Sequence, residues 1–515
     1  MYEVELKFLF DEPVADISSR ARTLASAGDG EKSRTVRSVY FDTEGHTLKK
    51  AGIALRIRRD GRRWVQTVKL KRLASIGLSQ VGEIEIAAPG GKLALDAIPD
   101  EGVRDQLRQH IDGMPLKPIC ETVIRRTTFE VVVGSGTVAE IAVDVGAIQA
   151  GSHSAELREV EIELVRGEPR DLFDIARVLF PSGSARFSTL SKSARGYMLA
   201  ETGRIEPDVA PRNAQTVALR AELTAEEGMR DILRECVAQI LPNVEVMERL
   251  DVPEGPHQLR VGLRRLRSAM SIFAPVARSP ELERLDKEVA WLAREVGALR
   301  DLDVAGGEIV GDEIALHPDE TSLQVLAKCL EADAARQRTE VRAVLGGSRA
   351  RTLLLDLVCF VETRGWLVSG ELEQTARLAA PLTELSREAL EKRWKKVARH
   401  ARGIASLDIE QRHELRKELK KLRYTIEFFA PLYPGKRVAV MVAKLKSLQN
   451  VFGSLNDVAM VRSLLSRKDL VPSDDVAMQR AVGWILGANE ARAETGWAGA
   501  KRQWQELKQA KPFWR

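Results

Sequence analysis

From Tyr2 to Phe10 polar and apolar residues alternate, so that Glu3, Glu5 and Lys7 fall on one side of an extended chain and Val4, Leu6 and Phe8 on the other. Six further segments repeat the alternation. Arg56 and Arg58 alternate with Leu55 and Ile57, Lys69 and Lys71 with Val68 and Leu70, and Glu83 and Glu85 with Ile84 and Ile86. Further along, Arg126 opposes Phe129, Val131 and Val133, Asp144 opposes Val143 and Val145, and Glu159, Glu161 and Glu163 oppose Val160, Ile162 and Leu164. Between these strands the pattern predicts a short helix over Val14 to Ala27, a strand over Ser38 to Asp42, and a hairpin turn at Gly61. One helix is expected inside Pro89 to Pro118. Strands resume over Thr122 to Val133, Gly134-Ser135-Gly136 turns the chain into Val138 to Val145, and a helix over Arg170 to Leu179 closes the series.

A solvated sheet face mixes charge signs along each strand, whereas across the six further segments the two signs are kept on different strands. That segregation predicts a closed antiparallel barrel with a charged lumen. Clustered carboxylates cannot be buried unpaired, and oxygen-only ligands favour Mg²⁺ or Mn²⁺ over zinc. Rows of Arg and Lys ask for a polyanion, and a phosphate chain bridged to carboxylates by a metal ion satisfies both demands. The competing possibility is a lumen of structural salt bridges.

Residues 201–214, with Gly203, Pro207 and Pro211 among polar neighbours, read as a linker between a domain at 1–200 and one at 215–515. Beyond it the period changes to 3.6 and predicts an all-α domain. That domain is internally duplicated. His257-Gln-Leu-Arg260-Val-Gly-Leu-Arg264-Arg265-Leu-Arg267 aligns with His413-Glu-Leu-Arg416-Lys-Glu-Leu-Lys420-Lys421-Leu-Arg423, an offset of 413 − 257 = 156. Asp301 and Asp457 keep the same offset, which predicts two pseudo-symmetric helical repeats. In each copy the basic residues share one helix face and leucines the other. Arg260 and Arg264 have no carboxylate at helical spacing to relieve them, so the stripes predict an external anion rather than a merely solvated face.

Composition adds bounds rather than a partner. A net charge of +5 and a pI near 8.9 make the 515-residue chain only mildly basic, so an anion site must come from clustering. Four scattered cysteines (Cys120, Cys236, Cys329, Cys359) fit a reducing compartment. No apolar stretch reaches membrane-spanning length and the chain opens directly on the charged strand, so a cytoplasmic protein with no membrane partner is expected. Nucleic acid is disfavoured because the basic stripes lack interleaved aromatics for base stacking.

The opening Glu3-Val-Glu5-Leu-Lys7, together with Tyr40-Phe41-Asp42-Thr43, Leu55-Arg56-Ile57-Arg58, the Lys69 and Glu159 strands, and Ser191-Lys192-Ser193-Ala194-Arg195-Gly196-Tyr197, resembles the CYTH domain of triphosphate tunnel metalloenzymes. The resemblance implies an eight-stranded tunnel that holds a triphosphate while one or two metal ions activate water against the terminal phosphoryl group. It implies Glu3, Glu5, Glu161 and Glu163 as metal ligands, with Glu159 beside them. Lys7, Arg56, Arg58, Lys69, Lys71, Arg126 and Lys192 are the implied phosphate-gripping, catalytic residues. Glu83, Glu85 and Asp144 rank below these. Gln80-Val81-Gly82 offers no basic residue before Glu83, a departure from the family pattern expected to lower activity or alter substrate choice.

The duplicated His-x-x-Arg stripes resemble the CHAD domain. That implies polyphosphate binding by His257, Arg260, Arg264, Arg265, Arg267, His413, Arg416, Lys420, Lys421 and Arg423, with polyphosphate granules as one candidate address. The expectation is therefore a Mg²⁺- or Mn²⁺-dependent inorganic triphosphatase joined to a polyphosphate-binding domain. Its rivals are a triphosphatase or cyclase acting on thiamine triphosphate or ATP, and a polyphosphate-targeting protein with weak or no catalysis.

Overall fold

The computed structural model describes residues 2–25, 31–71, 76–134, 136–181, 185–472 and 474–515, without the side chains of Tyr2, Lys71, Ile409 and residues 454–456. The chain forms two units, one of Met1–Asp208 with Gly346–Thr363 and one of Val209–Leu345 with Arg364–Arg515.

The first unit is a barrel. Strands β1 (Tyr2–Phe10), β2 (Lys32–Asp42), β3 (Ile53–Asp60), β4 (Arg63–Lys71), β5 (Leu78–Ala87), β6 (Lys117–Val133), β7 (Thr137–Ala150) and β8 (His153–Arg166) are joined in the order β5-β4-β3-β2-β6-β7-β8-β1. All pairs are antiparallel, and β1 pairs back onto β5, closing eight strands. A three-residue strand β9 (Ala185–Phe187) takes over the free edge of β1 where β5 leaves it. Gly61 makes the β3–β4 turn with a positive φ of 59°, which glycine adopts without strain.

Several boundaries differ from the sequence pattern: β7 runs on to Ala150 and β8 starts at His153, because the two pair along their whole length. Strand β2 begins at Lys32 rather than Ser38, because Lys32 to Tyr40 find partners along β6. Strand β6 begins at Lys117, its entry through Pro118 absorbed by a register shift between Tyr40 and Phe41. Helix α1 (Val14–Leu24) stops short of Ala27, and residues 26–30 lie outside the described residues.

Apolar rows on the barrel exterior are covered by short helices. Leu55 and Val68 pack under Val103, Leu107 and Ile111 of α3 (Glu101–Ile111), whose first turn is capped by Asp100. Helix α2 (Thr47–Lys50) lies beside it, and α1 and α4 (Asp171–Leu179) cover another face with buried Ile17, Ala21, Phe173 and Ala176. Helix α5 (Lys192–Thr202) closes one end of the lumen. There the lumen-side positions turn apolar: Leu9, Tyr40, Ile124, Ile148 and Leu157 form a cluster with Leu199 of α5. The approach is so close that a Cβ added at Gly196 would lie 2.0 Å from Cys120 Sγ. Asp42 fixes this end, accepting from Leu48 N and Lys49 N (both 2.9 Å) and from Tyr197 Oη (2.6 Å).

The second unit is helical. Its elements are α6 (Ala225–Arg249), α7 (Glu254–Ala277), α8 (Pro280–Asp303), α9 (Gly311–Leu316), α10 (Thr321–Gly346), α12 (Leu372–Ala379), α13 (Leu382–His400), α14 (Ile409–Phe429), α15 (Gly435–Leu465), α16 (Val476–Ala498) and α17 (Ala500–Gln509). Helix α11 (Ser348–Glu362), although between the repeats in sequence, belongs to the first unit, where Asp356 pairs with Arg177 at 2.6 Å. The triplet α6–α7–α8 recurs as α13–α14–α15. Reciprocal bonds Ala225 N to Ala380 O (2.8 Å) and Leu382 N to Leu223 O (2.9 Å) give the two copies a local two-fold relation, since 382 − 225 and 380 − 223 both equal 157. No helix of the described residues is long and apolar enough to cross a membrane.

Candidate functional site

Strand pairing turns the charged faces into one lumen, because residues directly opposite on neighbouring strands share a side. Glu5 lies opposite Glu163, Lys7 opposite Glu161, Asp144 opposite Glu159, Arg126 opposite Asp144, and Lys69 opposite Glu83. Arg34 of β2 lies opposite Arg126 and pairs with Asp60 at 3.1 Å.

Near the apolar end, Asp144, Glu159 and Glu161 each offer an oxygen within 4.8 Å of the others. Lys192, projecting from the first turn of α5, reaches all three at 2.9, 2.7 and 2.8 Å. Lys7 contacts Glu161 at 2.7 Å, and Arg126 contacts Asp144 at 2.6 Å and Glu161 at 2.5 Å. Burial works against the charge on Lys7, but Glu161, Glu5 and Glu159 outweigh it and hold its pKa well above the lysine value. Burial likewise opposes ionisation of Glu161, and Lys192, Lys7 and Arg126 overcome it, so its pKa lies well below the carboxylate value. Glu159 goes the other way: burial raises its pKa, and its Oε2 is enclosed with no hydrogen-bond partner.

Toward the other end the balance shifts. Burial, then Glu3 and Glu5, push Glu163 up to about 7. Lys69 holds Glu3 at 2.5 Å and Glu83 at 3.1 Å, and Arg56 holds Glu83 at 3.2 Å. Arg58 is the least compensated cation here: Glu85 stands 3.9 Å away, and burial together with Arg56 and Arg126 lowers its pKa to about 10. The side chain of Lys71 lies outside the described residues.

The oxygen-only set fits a hard divalent cation, and the unpartnered Glu159 Oε2 leaves it an open ligand atom. Among the four carboxylates expected to bind metal, Glu161 belongs to the tight trio, and Glu3, Glu5 and Glu163 crowd one another further along the lumen. Sequence reasoning ranked Asp144 and Glu159 below them and gave Arg34 no role. Asp144 shares its strand face with one other charge, Glu140, and its convergence with Glu159 and Glu161 of the neighbouring strand is visible only after closure.

In the helical unit, α7 and α14 bring Arg260, Arg264, Arg416 and Lys420 together. Burial, followed by Arg264, Arg416, Arg260 and Arg423, drives Lys420 down to about 6. Burial lowers Arg416 to about 10 despite Asp457, with Arg264 and Arg260 adding to the effect. Arg264 Nε is enclosed without a partner. Asp301 of α8 orients Arg260 at 2.6 Å, and His257 is partly buried beside Arg300 and Arg264, its pKa lowered first by burial. His413 is exposed at the head of α14.

Three of the stripe residues are engaged elsewhere. Arg265 is buried against Phe428 and paired with Glu427 at 2.9 Å, Arg267 is exposed and paired with Asp286 at 2.9 Å, and Lys421 pairs with Glu418 at 2.7 Å. Arg423 pairs with Glu427 at 3.2 Å while its charge still reaches Lys420.

A closed antiparallel tunnel lined by interleaved cations and carboxylates, followed by a duplicated helical unit with a cationic seam, defines the class of protein. Residues 1–197 match the CYTH domain and residues 231–466 the CHAD domain, so the chain carries an N-terminal CYTH domain followed by a CHAD domain. It is 27% identical over 446 residues to an uncharacterized protein of Mycobacterium tuberculosis, covering 82% of this chain and 81% of that one. It is 30% identical over 167 residues to an inorganic triphosphatase of Haemophilus influenzae, covering 32% of this chain and 45% of that one. The crystal structure of the CHAD domain from the plant Ricinus communis superposes with a TM-score of 0.50 at 28% identity, covering 58% of this chain and 97% of that one.

Proposed function

We propose that the barrel is a metal-dependent triphosphatase acting on inorganic tripolyphosphate and that the helical unit binds inorganic polyphosphate. The observation that carries the first part is a set of buried lumen cations, Arg56, Arg58 and Arg126, in which Arg58 is held down at about 10 first by burial and then by Arg56 and Arg126. Such a set is relieved by a multiply charged anion. Asp144, Glu159 and Glu161, with Glu3, Glu5 and Glu163, would hold Mg²⁺ or Mn²⁺, which when bound supplies Lewis-acid activation of water and charge neutralisation.

The chain's own residues do the rest. Arg56, Arg58 and Arg126 grip phosphoryl oxygens and stabilise charge developing on them, while Lys7, Lys69 and Lys192 exchange carboxylate for phosphate partners. The apolar cluster beneath α5 blocks that end of the lumen, which favours a short substrate over a threading chain. The relation to an inorganic triphosphatase supports the same substrate class. For the helical unit, support comes from the CHAD match and from Lys420 and Arg416, which burial and their cationic neighbours hold below their ordinary values.

Phosphate release from tripolyphosphate, ATP and thiamine triphosphate, with Mg²⁺ or Mn²⁺, tests the proposal. Selective tripolyphosphate turnover that disappears in Glu3→Ala/Glu5→Ala is expected. Turnover equal in the two proteins, on every substrate, would overturn the catalytic assignment.

A further inference from the structure

The two helical repeats are not equivalent along α6 and α13. On α6 and α13 the buried positions coincide at an offset of 157: Met229 with Ser386, Leu233 with Leu390, Cys236 with Arg393, Val237 with Trp394, and Ile240 with Val397. The same offset relates the intervening positions. Glu235, Ala238, Gln239, Pro242 and Glu245 in the first copy become Lys392, Lys395, Lys396, Arg399 and Arg402 in the second. At these five positions a neutral-to-acidic set has become basic, while Glu388 and Glu391 stand where the first copy has Asp231 and Arg234.

The coverings differ as well. In the first copy the segment before α6 lies on this set and satisfies it: Arg212 pairs with Glu235 at 2.8 Å, and Asn243 donates to Arg212 O at 2.8 Å. In the second copy α17 takes that place but stands off, leaving a cavity of about 1250 Å³ between α13, the turn at Ile404–Ser406 and α17. Helix α17 contributes Lys501 and Lys508 to the wall and Trp504 to the floor, and lies outside the residues that match the CHAD domain.

Seven cations line this cavity against two carboxylates, Glu388 and Glu391. Glu391 is already engaged by the chain end, accepting from Trp514 Nε1 at 3.2 Å and pairing with Arg515 at 2.8 Å. Among the described residues Lys392, Arg399, Lys501 and Lys508 form no ion pair. Seven like charges around one concavity repel unless an anion enters, and the space exceeds the roughly 300–1,000 Å³ of ordinary small-ligand sites.

We propose that this cavity is a second phosphoanion site, separate from the seam, which holds a run of several phosphates of a linear polyphosphate. Its ligand rests on the reading of the helical unit as a polyphosphate binder; its location does not. The two sites together would let one chain engage two stretches of a long polymer, raising avidity without new contacts at the seam.

The test is calorimetric titration of the full chain with long-chain polyphosphate at several salt concentrations. Wild type is compared with a cavity variant, Lys392→Gln/Arg399→Gln/Lys508→Gln, and with a seam variant, Arg264→Gln/Lys420→Gln. The cavity variant should bind about tenfold more weakly, with a salt dependence shallower by roughly 0.7 per phosphate contact removed. Lys392→Arg/Lys508→Arg, which keeps the charge, should bind as wild type does, so a loss in the cavity variant cannot be assigned to misfolding. The seam variant should retain the cavity's share of binding. Unchanged affinity and salt slope in the cavity variant would overturn the proposal, as would absence of polyphosphate binding in the wild type. Loss of single-stranded DNA binding with polyphosphate binding intact would also overturn it, by assigning the cavity to a nucleic acid. Binding lost in the cavity variant but unchanged in the seam variant would leave the cavity standing and remove the seam.

Discussion

The tunnel and the seam both gather basic side chains, but they manage the charge in opposite ways. In the tunnel cations are interleaved with carboxylates: Lys192 alone touches three, and its pKa is raised, with burial overcome by Asp144, Glu159 and Glu161. At the seam the cations outnumber the carboxylates beside them, Asp301 on Arg260 and Asp457 near Arg416, and burial, then the neighbouring cations, push Lys420 down to about 6. A matched network holds its shape without ligand and must exchange partners when a phosphate enters. An undermatched one is strained without ligand and relieved by it. The difference suits a site that performs chemistry at fixed distances and a site that only holds a flexible chain.

The comparison can be broken most directly by deleting one charge from each region. Glu161→Gln leaves Lys7, Arg126 and Lys192 buried around too few carboxylates, and should destabilise the barrel by about 3–5 kcal/mol, as removal of one member of a buried ion pair does. Chemical denaturation of the full chain, followed through the barrel's own signal, should show it. A shift under about 1 kcal/mol would mean that the network is solvated rather than matched. Lys420→Met removes a cation that its surroundings reject, so the helical unit should gain on the order of 1–2 kcal/mol while its affinity for polyphosphate falls. Destabilisation by this substitution would show that the seam is already neutralised within the protein.

How far the sequence revealed these regions follows from how local each signal was. The tunnel faces were legible because strand parity is strictly two, so Glu3, Glu5 and Lys7 had to share a side whatever they met. Strand β2 was half hidden, since Arg34 and Arg37 put charge on both of its faces and erased the alternation. The apolar closure was hidden too, because Leu9, Ile124, Ile148 and Leu157 occupy positions whose parity marks them as lumen, and only α5 explains why they are dry. In the helical half the duplication exposed the seam, since Arg260, Arg264, Arg416 and Lys420 fall at one offset. It did not foresee that Arg265 would be drawn inward to Glu427 and Phe428, or that Arg267 would turn to Asp286 on the next helix. Those partners lie on other helices, and spacing within one helix carries no information about them. The grouping of α11 with the barrel was likewise invisible in its amphipathic pattern.

The smallest expected effect sharpens the comparison through pH. The folded pKa of Lys420, about 6, lies below the roughly 10.4 of an unfolded lysine. Between those values the unfolded chain binds the extra proton, so the helical unit gains stability as pH rises through this window and loses it as pH falls toward 6. A polyanion in the seam reverses the local field and raises the folded pKa, so binding at pH 7.5 must draw a proton from solution. Titrating polyphosphate in two buffers of different ionisation enthalpy should therefore report an uptake of about one proton per site, absent in Lys420→Met. Affinity should correspondingly weaken as pH rises above 7. The matched tunnel makes no such demand at Lys7 or Lys192, whose carboxylate neighbours keep them charged without ligand. An identical proton count in wild type and Lys420→Met would mean that the seam lysine is charged before the polymer arrives, and the contrast between the two regions would then lie in geometry alone.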